Sequence, residues 1–296
     1  MELQNVTPDQ HDARIRNFIK ERKPHLYILT PCYGGQVFLS YMSCLLATKD
    51  VFAKYNCPLS IEFCRNDSLV PRARNNLIAK ALSKESTTHC LFIDADITWN
   101  PMDIFRLLMD EKELVGGIYP LKRYNWDRLK PPANEKDHSN IDQWLHRKNS
   151  SALKTMFDDE AMIQCNLVNY NLNYLHNQVQ VENGLIRVKH MATGFMMIAR
   201  GCLEKMMRSF PSTKYTDDVG FLQGDENKYA YALFDCGVVD DHYLSEDWMF
   251  CNRWIQMGGD VFYDIHVCLT HTGPEDYRGA YLASLPLNVP PLPPRA

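Results

Sequence analysis

Apolar and polar positions follow two periods along the first 120 residues, and the switches between them mark the elements. Residues 8–22 read as a short N-terminal helix. "HLYILTPCYGG" (25–35) predicts a buried strand entering a glycine turn, and "VFLSYMSCLLATKDVFAKY" (37–55) repeats apolar residues at helical spacing. "LSIEFCR" (59–65) is a second strand, and "PRARNNLIAKALSKE" (71–85) a second helix with Pro71 in its first turn. "HCLFIDAD" (89–96) is the third strand. Asn100 then caps a helix beginning at Pro101, with Asp103 favoured by the helix dipole. "LVGGIYP" (114–120) is a fourth, short strand interrupted by Gly116 and Gly117.

Strands separated by single helices call for right-handed crossovers and a mainly parallel sheet. Residues 25–120 are therefore expected to form a Rossmann-like α/β layer that binds ligands beyond the carboxyl ends of its strands. After Tyr119 the periodicity loosens, and 121–140, with its Pro-Pro pair, predicts a long loop. The remainder mixes strands within 178–200, helices at 202–210 and 245–259, and a strand over 260–273. The proline-rich end "LPLNVPPLPPRA" predicts a surface or disordered tail.

Composition narrows the class. The 296 residues, 45% hydrophobic and 23% charged, suit a globular chain with a full core. A net charge of -4 with scattered Lys and Arg argues against a nucleic-acid partner, and runs such as "KRYNW" read as solvated faces. The polar N-terminus has no secretory h-region, and no apolar run reaches membrane-spanning length, so a soluble, cytoplasmic protein is expected. Ten singly spaced cysteines without a CxxC pair read as reduced core residues.

Three places carry candidate chemistry. Asp94 and Asp96 end an apolar strand, where two like charges need a cation or hydrogen bonds, and hard oxygen donors suit Mg2+ or Mn2+. In "LSEDW" (244–248), Ser245 can cap a helix with Glu246 and Asp247 in its first turn; an acid facing the carboxyl edge could instead act as a base. His271, between Thr270 and Thr272, could ligate a metal or be an ordinary histidine.

The order "DAD" (94–96), "SED" (245–247) and a C-terminal His271 resembles the GT-A glycosyltransferases, with their DxD motif, xED motif and C-terminal histidine. "TPCYGG" (30–35), "RARNNLIAKAL" (72–82) and "ATGFMMIAR" (192–200) extend the likeness across roughly residues 25–279, toward short soluble transferases of large DNA viruses, including algal ones. The resemblance implies a GT-A type α/β fold: a nucleotide-sugar-binding half (25–120) and a mixed acceptor-binding half (121–279) of one domain, preceded by a helical extension (1–24) and followed by a Pro-rich tail (280–296).

It also implies roles. Asp96 and His271 would hold Mn2+ or Mg2+, with Asp94 contributing and positioning the donor. Thr30, Pro31 and Tyr33 would border the nucleobase, and Arg74 the diphosphate or donor sugar. Asp247 would be the base, with Glu246 beside it; Gly194 and Phe195 would line the donor–acceptor cleft and Trp248 the acceptor platform. The implied reaction is sugar transfer from a nucleoside diphosphate, with UDP-xylose, UDP-glucose and UDP-galactose as expected donors, to a glycan hydroxyl with inversion. Retaining transfer, sugar nucleotidyl transfer and carbohydrate binding without turnover are the alternatives.

Overall fold

The computed structural model describes residues 8–130, 140–175 and 179–285. The helix α1 (Pro8–Arg22) leads into β1 (Leu26–Cys32), α2 (Leu39–Lys54), β2 (Leu59–Arg65), α3 (Val70–Leu82) and β3 (His89–Ile93). A two-residue strand β4 (Ile97–Thr98) precedes α4 (Pro101–Met109), and β5 (Leu114–Gly117) follows. Asn100 caps α4 as expected, its side chain accepting from the Met102 amide at 2.9 Å.

The expected loop 121–140 is in part a strand. Pro120–Tyr124 forms β6, which pairs with β7 (Val168–Tyr170), and 131–139 lie outside the described residues. Between them stand α5 (Asn140–Asn149) and α6 (Asp159–Leu167). Then come β8 (Asn173–Tyr174), β9 (Val181–Glu182), β10 (Leu185–His190), β11 (Phe195–Ala199) and α7 (Arg200–Ser209). A hairpin of β12 (Gly237–Val239) and β13 (His242–Leu244) runs into α8 (Glu246–Gln256).

The single strand expected over 260–273 is broken in two. β14 (Val261–Asp264) ends where the Asp264 carboxylate accepts from the His266 amide at 2.8 Å, turning the chain; β15 (Thr270–Thr272) and β16 (Asp276–Arg278) then join β4 in a separate small sheet. Residues 280–285, assigned to the tail, belong to the packed body: α9 (Tyr281–Ser284) buries Tyr281, Leu282 and Ala283. The proline-rich stretch 286–296 lies outside the described residues.

The architecture is mixed α/β, with helices on both faces of one large sheet ordered β2-β1-β3-β11-β5-β14-β10-β8 and β9 also paired to β10. β2, β1 and β3 are parallel, as their helical crossovers require. β5 does not continue that layer directly, because β11 lies between β3 and β5, antiparallel to both. β14 returns parallel to β5, and β10 is antiparallel to β14. The two halves expected from the sequence thus interleave within one sheet.

Strand alternation assigns the two faces. Tyr27, Leu29, Cys90, Phe92, Met196 and Ile198 meet Leu77 of α3, Leu203 of α7 and Phe250 of α8. Their neighbours Leu26, Ile28, Leu91, Ile93, Phe195 and Met197 meet Ile15 of α1, Phe52 of α2 and Phe105 of α4. None of the ten cysteines forms a disulfide among the described residues. No helix among them is long and apolar enough to cross a membrane.

Candidate functional site

A cleft of about 400 Å³ opens beyond the carboxyl ends of β1, β2 and β3, lined among others by Pro31, Tyr33, Asp67, Arg74, Asp94 and Asp96. The chain turns immediately after β3: the Ile97 amide donates to the Asp94 carbonyl at 3.0 Å. The Asp94 amide donates to Gly194 O at 3.1 Å, and the Phe38 amide to Ala95 O at 3.0 Å. The Asp-Ala-Asp turn is therefore clamped by the turn that enters β11 and by the loop that leads into α2.

Arg74, on α3, joins the first two motifs. Its side chain is only 5% exposed; Nη2 donates to Asp94 Oδ1 at 3.0 Å and Nε to Glu246 Oε1 at 3.2 Å. Burial alone would lower the guanidinium's pKa, but the fields of Asp94 and Glu246 outweigh it and leave it raised, so the charge is held. Nη1 is buried without a partner among the described residues, an unused donor.

Ser245 occupies the N-cap position of α8 without capping it. Its hydroxyl donates instead to Asp247 Oδ1, which also accepts from the Trp248 amide at 2.8 Å. Burial, with Glu246 beside it, pushes the Asp247 carboxyl above the usual carboxylate range despite those two hydrogen bonds. A half-buried carboxylate of raised basicity is what proton abstraction from a hydroxyl requires.

The third motif arrives through the small sheet. β15 pairs with β4 so that His271 stands opposite Ile97, and the Thr272 amide donates to Asp96 O at 2.8 Å. His271 Nδ1 donates to Pro120 O at 2.8 Å, and Nε2 faces Asp96 Oδ2 at 3.5 Å. The same Oδ2 accepts from Lys122 Nζ, on β6, at 2.5 Å. Burial would raise the Asp96 carboxyl, yet His271 and Lys122 outweigh it and hold it below the usual range.

Tyr119 ties these parts together and was not singled out in the sequence. Its buried ring meets His271 edge-on with centroids 5.2 Å apart. It also occupies the space beside Gly194, where any Cβ would fall 2.6 Å from the ring. Gly194 is therefore needed for close approach.

Three expected lining residues are elsewhere. Thr30 is fully buried, its Oγ1 2.5 Å from the Tyr41 hydroxyl, because it points into the core from β1 while Pro31 faces the cleft. Phe195 is likewise fully buried, 6.3 Å from the Trp99 ring, in the layer beneath the site. Trp248 does not line this cleft; it stacks on His190 at 4.2 Å with an interplanar angle of 10°, leaving one indole face covered.

Sequence reasoning also missed Asp67 and Lys122. Asp67 lies just past β2, bound by Arg72 through two hydrogen bonds of 2.9 and 2.7 Å. Its placement after a strand end was the available signal; for Lys122, in an aperiodic polar stretch, there was none. Among the described residues, no group of three or more His, Cys, Asp or Glu side chains converges as a metal-ligand set. Of the expected ligands, Asp96 and His271 come together, 3.5 Å apart.

No family model and no curated protein matches this chain. Among solved structures, it is similar to A197 from STIV at 12% identity and a TM-score of 0.46, covering 84% of this chain and 86% of that one. It is also similar to the 4-diphosphocytidyl-2C-methyl-D-erythritolsynthase from Anaerococcus prevotii DSM 20548 at 8% identity and a TM-score of 0.31, covering 79% of this chain and 99% of that one.

Proposed function

We propose that the chain is a metal-dependent glycosyltransferase of GT-A type that moves a sugar from a nucleoside diphosphate, UDP being the expected one, to a glycan hydroxyl with inversion. The observation that carries this reading is the bridge that Arg74, a residue of the cleft wall, makes between Asp94 of the DxD motif and Glu246 of the xED motif, with His271 Nε2 3.5 Å from Asp96.

The residues present fit a small divalent cation. His271 Nε2 and Asp96 Oδ2 stand 3.5 Å apart, near the span of two adjacent ligands each about 2.1 Å from one ion. The Pro120 carbonyl accepts from Nδ1 and so orients the ring, leaving Nε2 as the nitrogen turned toward Asp96. Among the described residues Arg74 pairs with Asp94 and Glu246 and Lys122 pairs with Asp96, and with Asp247 beside them the acids outnumber these two cations, a balance that repels a diphosphate unless positive charge is added. Asp96 and His271 would hold Mn2+ or Mg2+, which would supply that charge and offset the negative charge growing on the leaving diphosphate.

This chain's own groups do the rest. Asp94, fixed by Arg74, orients the donor; Asp247, of raised basicity, takes the acceptor proton as the hydroxyl attacks the anomeric carbon; Pro31 and Tyr33 border the base. The test is incubation with Mn2+, an acceptor mixture and a panel of nucleotide sugars, reading released nucleoside diphosphate and the anomeric configuration of the product. Release that EDTA abolishes supports the reading; no release with any donor favours carbohydrate binding without turnover, and retained configuration removes Asp247 as base.

A further inference from the structure

Lys122 sits on the carboxylate oxygen that a cation would need. Its ammonium donates to Asp96 Oδ2 at 2.5 Å, and His271 Nε2 faces the same atom at 3.5 Å. The lysine stem reaches there by crossing Gly273, where a Cβ would fall 2.9 Å from Lys122 Cδ. The Lys122 side chain is 33% exposed and Asp96, which lines the cleft, 25%, so the pair is open to solvent with room for the ammonium to move. A lysine head is a point charge on a flexible four-carbon stem, equally suited to a carboxylate or a phosphate.

We propose that Lys122 is a donor-phosphate ligand held in reserve on Asp96. Its ammonium and a divalent cation compete for Oδ2, and a nucleoside diphosphate resolves the competition by drawing the ammonium onto its phosphate oxygens. The proposal rests on the cleft being a nucleoside diphosphate-sugar site. Two positive charges cannot both sit within bonding distance of one carboxylate oxygen without repelling each other, so in the free protein Lys122 keeps metal affinity low. The diphosphate, leaving at the end of the reaction, returns Lys122 to Asp96 and loosens the metal; linkage makes the coupling reciprocal.

The experiment measures Mn2+ binding by electron paramagnetic resonance, and UDP and GDP binding in EDTA by calorimetry, for the wild type, Lys122→Met, Lys122→Arg and Gly273→Ala. The expected result is a pair of opposite shifts in Lys122→Met: Mn2+ alone binds about 5- to 10-fold tighter and the nucleotide alone weaker by a similar factor, within the usual range of coupling between sites. Lys122→Arg keeps a competing charge and stays near the wild type. Gly273→Ala leaves the lysine in place but pushes its stem off the path to Asp96, so Mn2+ tightens there too; this variant carries the test if Lys122→Met does not fold. A purely structural role for Lys122 would weaken both ligands together, and that result, or unchanged Mn2+ affinity, overturns the proposal. Wild-type protein that binds neither Mn2+ nor a nucleotide would overturn the reading of the cleft itself, whereas wild-type binding of both without opposite shifts sinks only the role of Lys122.

Discussion

Arg74 holds the candidate site at the residue scale, since one buried guanidinium satisfies a carboxylate from each of two motifs distant in sequence. Lysine cannot span both acids in a fork, so Arg74→Lys is expected to lose donor binding while Arg74→Ala also loses stability. Removing one partner of a buried pair costs about 3–5 kcal/mol, and because Asp94 is 33% exposed the lower end, about 3 kcal/mol, is expected in chemical denaturation. A loss under ~1 kcal/mol would mean the bridge does not organise the site.

Asp247 gives a second residue-scale prediction, with its sign fixed by the raised pKa. A base must be ionised, so turnover falls as pH drops through a value above the ordinary aspartate range. Stability moves the other way, because the folded state binds this proton more tightly than the unfolded chain and gains as pH falls through the same window. The acid limb of kcat/KM therefore does not report unfolding at this group. Asp247→Asn should lose about 10²- to 10⁴-fold in kcat with donor KM little changed and no loss of melting temperature; wild-type turnover in this variant removes Asp247 from the mechanism.

What was legible at this scale was local. Asp94, Asp96, Glu246, Asp247 and His271 stand beside strand ends and helix starts, where short motifs report their placement, and the structure brings them to one region. The pairing of Arg74 with acids from both motifs was not legible, since its partners come from the turn after β3 and from α8. Lys122 looked like part of a solvated face because a polar, aperiodic segment says nothing about where one side chain points.

At the scale of elements, the short strands that deliver chemistry are those that periodicity misses. β4 and β15 have two and three residues, too few for alternation to show, yet their pairing sets His271 against Asp96. The longer β1, β2, β3, α2, α3 and α4 were readable because each carries several turns or repeats of its pattern. Between β10 and β11 the backbone at Gly194 meets both the Asp94 amide and the Tyr119 ring. Gly194→Ala forces a methyl group into that ring, and overpacking of this kind costs about 1–3 kcal/mol. Because Tyr119 also touches His271, the expected readout is a lowered melting temperature together with weakened Mn2+ binding; a lowered melting temperature with wild-type Mn2+ affinity would confine Tyr119 to packing.

For the whole molecule, interleaving rather than adjacency of the halves governs how the chain folds. A boundary near residue 120 is visible in the sequence as a change of periodicity, but topology overrides it, since β11 and β14 from the later half are the sheet neighbours of β5, and β11 is also the outer neighbour of β3. A fragment of residues 1–120 would leave both sides of β5 and one side of β3 without hydrogen-bonding partners. It would also strip Leu203, Phe250 and Trp254 from the apolar face shared by Leu29, Leu77 and Phe92. Unpaired strand edges and an uncovered apolar face favour aggregation over a stable layer. The fragment is therefore expected to lack a near-ultraviolet circular dichroism signal and a cooperative urea transition, while the intact chain unfolds the sheet in one step. Co-refolding with residues 121–296 should restore both signals, because the missing partners then return in trans. A fragment that alone unfolds cooperatively would show that β1, β2, β3 and α3 suffice for a core, and the candidate cleft would then be an autonomous module rather than a product of the interleaved sheet.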